Sequence, residues 1–170
     1  MTTQLEVPES EFGGVLGHLD PRGAKYESAA FLIVGCRKSA GVLHFQWCET
    51  HKLEDRDFAC RASDYLELTD DTRSGLIRRA HQLGGCLVEM HSHLGYWAAA
   101  FSEADLAGLA ETVPHMLWRL QNRPYMAIVV ARHGFDALVW DRPDSPMPLD
   151  QLVTGSRVLL PTNLTLQALQ

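Results

Sequence analysis

The chain contains no Cys-x-x-Cys pair, no His-Glu-x-x-His, no Gly-x-Ser-x-Gly elbow, no deaminase His-x-Glu with Pro-Cys-x-x-Cys, and no Gly-rich phosphate loop. These absences remove, in turn, cysteine-framed zinc modules, the common zinc peptidases, serine hydrolases, zinc deaminases and P-loop nucleotide enzymes. Its four cysteines, Cys36, Cys48, Cys60 and Cys86, are far apart and mostly inside apolar runs. They read as reduced, buried thiols. Nothing orients Cys48 and His51 as a thiol-protease pair. No apolar run approaches bilayer length, and Met1 to Glu11 is polar, so neither a spanning segment nor a signal peptide is expected. The expected compartment is the cytoplasm. Positive charge is also scarce: 15 Lys and Arg face 21 Asp and Glu, for a net charge of −6. A nucleic-acid footprint needs a basic stripe. Neither nucleic acid nor membrane is therefore an expected partner.

What the chain has is length and apolar content for one globular unit, 170 residues of which 46% are hydrophobic. Residues 8–19 carry Phe12, Val15 and Leu16 at helical spacing, and Asp20 to Gly23 reads as a turn. Residues 29–35 form a continuous apolar run of strand length, expected to be buried on both faces. A second strand is expected over 42–48, a polar loop over 50–62, and a short strand over 63–68 containing Tyr65 and Leu66. Thr69 or Asp70 caps a helix whose apolar face is Leu76, Ile77, Ala80 and Leu83, stopped by Gly84-Gly85. Strand 86–93 follows, then a helix from Ser102 that is expected to stop near Pro114, and two strands, 124–130 and 135–140, around His133-Gly134. The prolines after Asp141 predict a packed tail over 141–170. The fold class is α/β: a mixed sheet flanked by helices, in a single domain with its core at about residues 10–140.

Chemistry concentrates in Val88-Glu89-Met90-His91-Ser92-His93 and Ser102-Glu103-Ala104-Asp105. Side chains alternate along a strand, so His91 and His93 project from one face while Ser92 points away to hydrogen-bond nearby backbone. Asp105 sits in the first turn of the following helix. Two imidazoles and a carboxylate, with a fourth position left to water, make a catalytic rather than a structural metal shell. Plainer readings exist beside this one. His-x-His pairs also occur as ordinary hydrogen-bonding groups, and Ser102-x-x-Asp105 has the form of a helix capping box.

These residues resemble the JAB/MPN (JAMM) zinc metalloproteases, whose signature is a distant Glu, His-Ser/Thr-His, a loop, and Ser-x-x-Asp. The match runs over residues 10–140, with His91-Ser92-His93, Ser102 and Asp105 as they stand here. The distant Glu corresponds to Glu27, which opens Glu27-Ser28-Ala29-Ala30-Phe31-Leu32. Eleven residues separate His93 from Asp105 where ten are usual, and Leu94 stands where Pro is common. The resemblance implies a JAB/MPN-like, cytidine-deaminase-like three-layer α-β-α fold. It implies Zn2+ on His91, His93 and Asp105, Glu27 as general base, and Ser102 as donor to the oxyanion.

The implied reaction is hydrolysis of the peptide or isopeptide bond after the C-terminal Gly of a ubiquitin-like protein, in maturation or deconjugation. Prokaryotic JAB proteins are the nearer type, and adenylating and conjugating enzymes of the same pathway are implied partners. Processing of a sulfur-carrier protein and a non-catalytic MPN scaffold remain alternatives. On the residues alone Glu27 has a rival in Glu89, which shares the strand face of the two histidines and can orient an imidazole instead. Tyr96, Trp97 and Phe101, in the loop between the ligands, read either as local packing or as a wall of a substrate groove.

Overall fold

A computed structural model describes residues 1–170. Its centre is a nine-stranded mixed sheet in the order β11-β10-β1-β3-β2-β6-β7-β8-β9. The strands at the middle are β2 (Ala29–Ser39), β3 (Val42–Lys52), β6 (Cys86–Ser92), β7 (Tyr125–Ala131) and β8 (Gly134–Trp140). β2 runs antiparallel to β3 and β6, while β6 and β7 are parallel and are joined by the crossover helix α3 (Glu103–Arg119). The chain is thus mixed α/β. No helix is long and apolar enough to cross a membrane.

Alternation along β2 explains how the sheet keeps two separate cores. Ala30, Leu32 and Val34 face one side, with Phe12, Val15 and Leu19 of helix α1 (Glu9–Leu19). Ala29, Phe31 and Ile33 face the other, with Leu76, Ile77 and Ala80 of helix α2 (Asp70–Leu83) and Leu109, Val113 and Met116 of α3. Because helices cover both faces, the central strands read as unbroken apolar runs. The Thr69 hydroxyl caps α2 by accepting from Thr72 N–H, and Gly84 ends it at φ 62°.

Several elements depart from the sequence expectation. Thr2–Glu6 is a strand, β1, in parallel register with β3 and with β10 (Gln151–Thr154). Its Thr-Thr-Gln-Leu-Glu sequence holds two strand-favouring threonines but a single large apolar residue, a weak signal, and pairing on both sides holds it. The loop expected over 50–62 is partly ordered: β3 continues to Lys52, and Phe58–Arg61 forms β4, paired with β5 (Leu66–Leu68). Only those last residues of the strand expected over 63–68 pair, and Tyr65 is exposed. α3 does not stop at Pro114 but runs on to Arg119. Burial of Val113, Met116 and Leu117 outweighs the hydrogen bond the proline cannot make. Leu83 is exposed rather than part of the apolar face of α2.

The tail holds strands β9 (Pro146–Pro148), β10 and β11 (Arg157–Leu159) and a short helix, α4 (Leu164–Ala168). Its Leu149 and Leu152 enter the same core as α1. Of the four thiols read as buried, Cys86 is buried and Cys36 half-buried, while Cys48 and Cys60 are exposed. Cys48 lies past Gln46, where β1 stops covering β3, and Cys60 lies on the small β4–β5 hairpin.

The α2–β6 junction brings backbones into close contact. A Cβ on Gly85 would come 2.7 Å from Ile33 Cγ2 and 3.0 Å from the Val34 carbonyl oxygen. Gly85→Ala is expected to lower the unfolding free energy in urea by about 1–3 kcal/mol, as overpacking does. An unchanged midpoint would contradict that close approach.

Candidate metal centre

The C-terminal end of β6 and the N-terminal end of α3 meet the start of β2. The register pairs Ala29 with His91, and the Ser92 N–H donates to the Ser28 carbonyl at 3.0 Å, so Glu27 stands beside His93. Ser92 faces away from the histidines, as its alternation requires. Its hydroxyl accepts from the Ser28 N–H at 2.9 Å. A one-residue slip here would turn Glu27 to the opposite face.

His91, His93 and Asp105 converge. The His91 and His93 Nε2 atoms are 3.2 Å apart, His93 Nε2 lies 2.9 Å from Asp105 Oδ2, and His91 Nε2 lies 3.3 Å from Asp105 Oδ1. The chain has one such group, and it can hold a metal ion. The capping-box reading of Ser102 and Asp105 holds at the same time. The Ser102 hydroxyl accepts from Asp105 N–H at 3.1 Å, and the Asp105 carboxylate accepts from Ser102 N–H at 2.8 Å. The cap sets the carboxylate on the helix end and leaves Oδ1 turned to His91. The longer loop between His93 and Ser102 therefore leaves Asp105 within reach of both imidazoles.

Electrostatics follow from this crowding. Burial alone would raise the Asp105 carboxyl, but the two imidazoles and the Ser102 N–H hold it well below the ordinary carboxylate range. Burial works against a charged His91, yet the Asp105 carboxylate raises its pKa on balance. Glu27, 6% exposed, is pushed by burial up to about 7, an effect moderated by His91 and His93. A carboxyl with that pKa can both take and return a proton near neutral pH.

A cavity of about 310 Å³ opens from this group between the β4–β5 hairpin and α3. Glu27, His91 and Asp105 line one end, Leu66, Leu68, Leu109 and Met116 its walls. Glu89 lines it too, and its carboxylate accepts a hydrogen bond from the Tyr125 hydroxyl. Burial raises the Glu89 pKa. No hydrogen bond joins Glu89 to either imidazole, whose Nε2 atoms face each other and Asp105 instead. Tyr96 and Trp97 are not among the residues lining the cavity. They stand 80% and 85% exposed, with Arg132 stacked 3.9 Å from the Tyr96 ring centre.

Arg61 was invisible as a functional residue in the sequence, being one arginine in a polar stretch. Its Nε donates to the Glu27 carbonyl and its Nη2 to the Ser28 hydroxyl, each at 2.8 Å, and its Nη1 is paired with Asp55. The Glu27 N–H in turn donates to the Ala62 carbonyl at 3.2 Å. The hairpin thereby fixes the backbone from which Glu27 projects.

Searches against protein-family models and against curated proteins found no match to this chain.

The metal-free protein should show the Glu27 environment in its pH dependence. Its raised pKa means the folded chain keeps a proton that the unfolded chain releases above about 4.5, so stability falls as pH rises from about 4.5 to about 7. The raised pKa values of Glu89 and His91 act with the same sign. The chelator-treated protein is expected to lose stability across that window, and Glu27→Gln to lose less. Identical slopes in the two proteins would show that Glu27 is not buried as described.

Proposed function

We propose that the chain is a zinc-dependent hydrolase of the JAB/MPN type, acting on the amide after the C-terminal Gly of a ubiquitin-like protein. The observation that carries this reading is the approach of His91, His93 and Asp105 to within 3.3 Å of one another, with buried Glu27 lining the same cavity. Zinc at about 2.0–2.1 Å from N and O donors places its tetrahedral ligands roughly 3.3 Å apart. The observed 2.9–3.3 Å separations fit that ion with small adjustment. Three protein ligands leave one position for water, which is the catalytic pattern. When bound, zinc lowers the pKa of water to about 7 and polarises a carbonyl.

The rest falls to this chain's own side chains. Glu27 accepts the proton of the attacking water and delivers it to the departing nitrogen, so that the amide C–N bond breaks and a free carboxylate and an amine result. The Ser102 hydroxyl uses a lone pair for the helix cap, and its own proton is bonded to nothing in the protein. That proton can be donated to the oxygen on which negative charge develops. Arg61 holds the Glu27 backbone still during both transfers. β5 pairs with β4 alone, so its other edge can take an extended C-terminal tail as an added strand, leading along the cavity to the metal. A sheet with helices on both faces supports the three-layer, deaminase-like arrangement of this family.

The test is a ubiquitin-like protein extended past its C-terminal Gly by an amide-linked reporter, incubated with zinc-loaded protein. Cleavage after the Gly, lost on chelation, is expected. Glu27→Gln is expected to keep zinc and substrate binding while cutting kcat by a factor on the order of 10²–10⁴. Glu89→Gln should keep most activity, since Glu89 is engaged with Tyr125. The reverse pattern would make Glu89 the base. Zinc binding without hydrolysis would favour a scaffold, and activity confined to an amino-acid adduct would favour sulfur-carrier processing.

A further inference from the structure

The C-terminal segment crosses back over the loop that joins His93 to Ser102. The Thr162 hydroxyl donates to the Ala99 carbonyl at 2.6 Å, and the Phe101 N–H donates to the Thr165 hydroxyl at 2.9 Å. The Thr165 hydroxyl donates in turn to Asp136 Oδ2 at 2.6 Å. Asp136, on β8, also accepts from Thr165 N–H at 3.0 Å and Asn163 N–H at 3.1 Å, while Thr162 N–H donates to the Phe135 carbonyl at 2.9 Å.

Asp136 and Thr165 are 1% and 3% exposed. A hydroxyl has one proton, and giving it to Asp136 turns its lone pairs to the Phe101 N–H. The loop is thereby tied to the sheet through a buried carboxylate at the point where it enters the metal group. The Phe101 ring meets His91 edge-on with centres 6.1 Å apart. The next residue, Ser102, gives its N–H to the Asp105 carboxylate. A shift of the Phe101 backbone would move the helix cap and the Asp105 carboxylate together.

We propose that Asp136 and Thr165 are positioning residues for the metal group, the C-terminal segment acting as a strap that fixes the loop between His93 and Asp105. The proposal rests on the reading of His91, His93 and Asp105 as ligands. It accounts for how a loop one residue longer than usual still delivers Asp105. The strap acts at Ala99 and Phe101, and Arg132 stacks on Tyr96.

Thr165→Val removes the hydroxyl at nearly constant volume. Thr154→Val is its control, because Thr154 is equally buried and its hydroxyl has no partner. Zinc affinity is read by competition with a chromophoric chelator, and exchange of the Phe101 amide by NMR. In the wild-type protein the Phe101 amide should exchange at least a hundredfold more slowly than the exposed amides of Tyr96 and Trp97. Thr165→Val should raise the zinc Kd about tenfold and free that amide. Such losses are the usual scale for groups that orient metal ligands. Thr165→Ser should restore both, and Thr154→Val should leave both unchanged.

Equal zinc affinity in wild type and Thr165→Val, or equal weakening by Thr154→Val, would overturn the proposal. Fast Phe101 exchange in the wild type overturns it without any variant. A wild-type protein that binds no zinc while Phe101 is protected refutes the metal reading instead, and with it any role of the strap in metal affinity.

Discussion

Three electron-rich donors within 3.3 Å of one another are costly unless a proton or a cation lies between them. The rest of the structure holds that cluster in place. The β2–β6 register sets His91 and His93 beside Glu27, the α3 cap presents Asp105, and the two apolar cores stop either element from shifting. The polar cluster sits at the C-terminal end of β6, next to its parallel neighbour β7, where open α/β sheets place their ligands.

The hairpin and the strap bear on the two halves of the centre separately. Arg61 reaches the Glu27 backbone from β4, and Thr165 reaches the Phe101 backbone from α4. The Glu27 carboxyl is thus supported from one side and the Asp105 carboxylate from the other. Glu89 and Tyr125 form a third polar group lining the cavity, bonded to each other rather than to the imidazoles. Glu89 and Glu27 both titrate above the ordinary carboxylate range because both are buried; Glu27 interacts with both imidazoles, whereas Glu89 interacts with His91 and is hydrogen-bonded by Tyr125.

Much of this was legible in the sequence because it depends on local periodicity. His-x-His on a strand end, a Ser-x-x-Asp cap and the apolar runs of β2, β6 and β7 are all short-range patterns. What stayed hidden depends on partners far along the chain. β1 has only a weak strand signal of its own and is held by β3 and β10. α3 passes Pro114 because its far turns are buried. Thr165 and Asp136 gain meaning only when sequence separations of 64 and 29 positions are closed, onto Phe101 and onto each other. No spacing rule connects such positions.

The central claim is that two imidazoles and one carboxylate hold zinc. X-ray absorption at the zinc edge of the loaded protein tests it directly. The account predicts a four-coordinate shell of N and O atoms at about 2.0–2.1 Å, with the outer-atom scattering of two imidazoles and none from sulfur. Sulfur at about 2.3 Å would put the ion on cysteine, with the exposed Cys48 or Cys60 as donors, and would contradict the site.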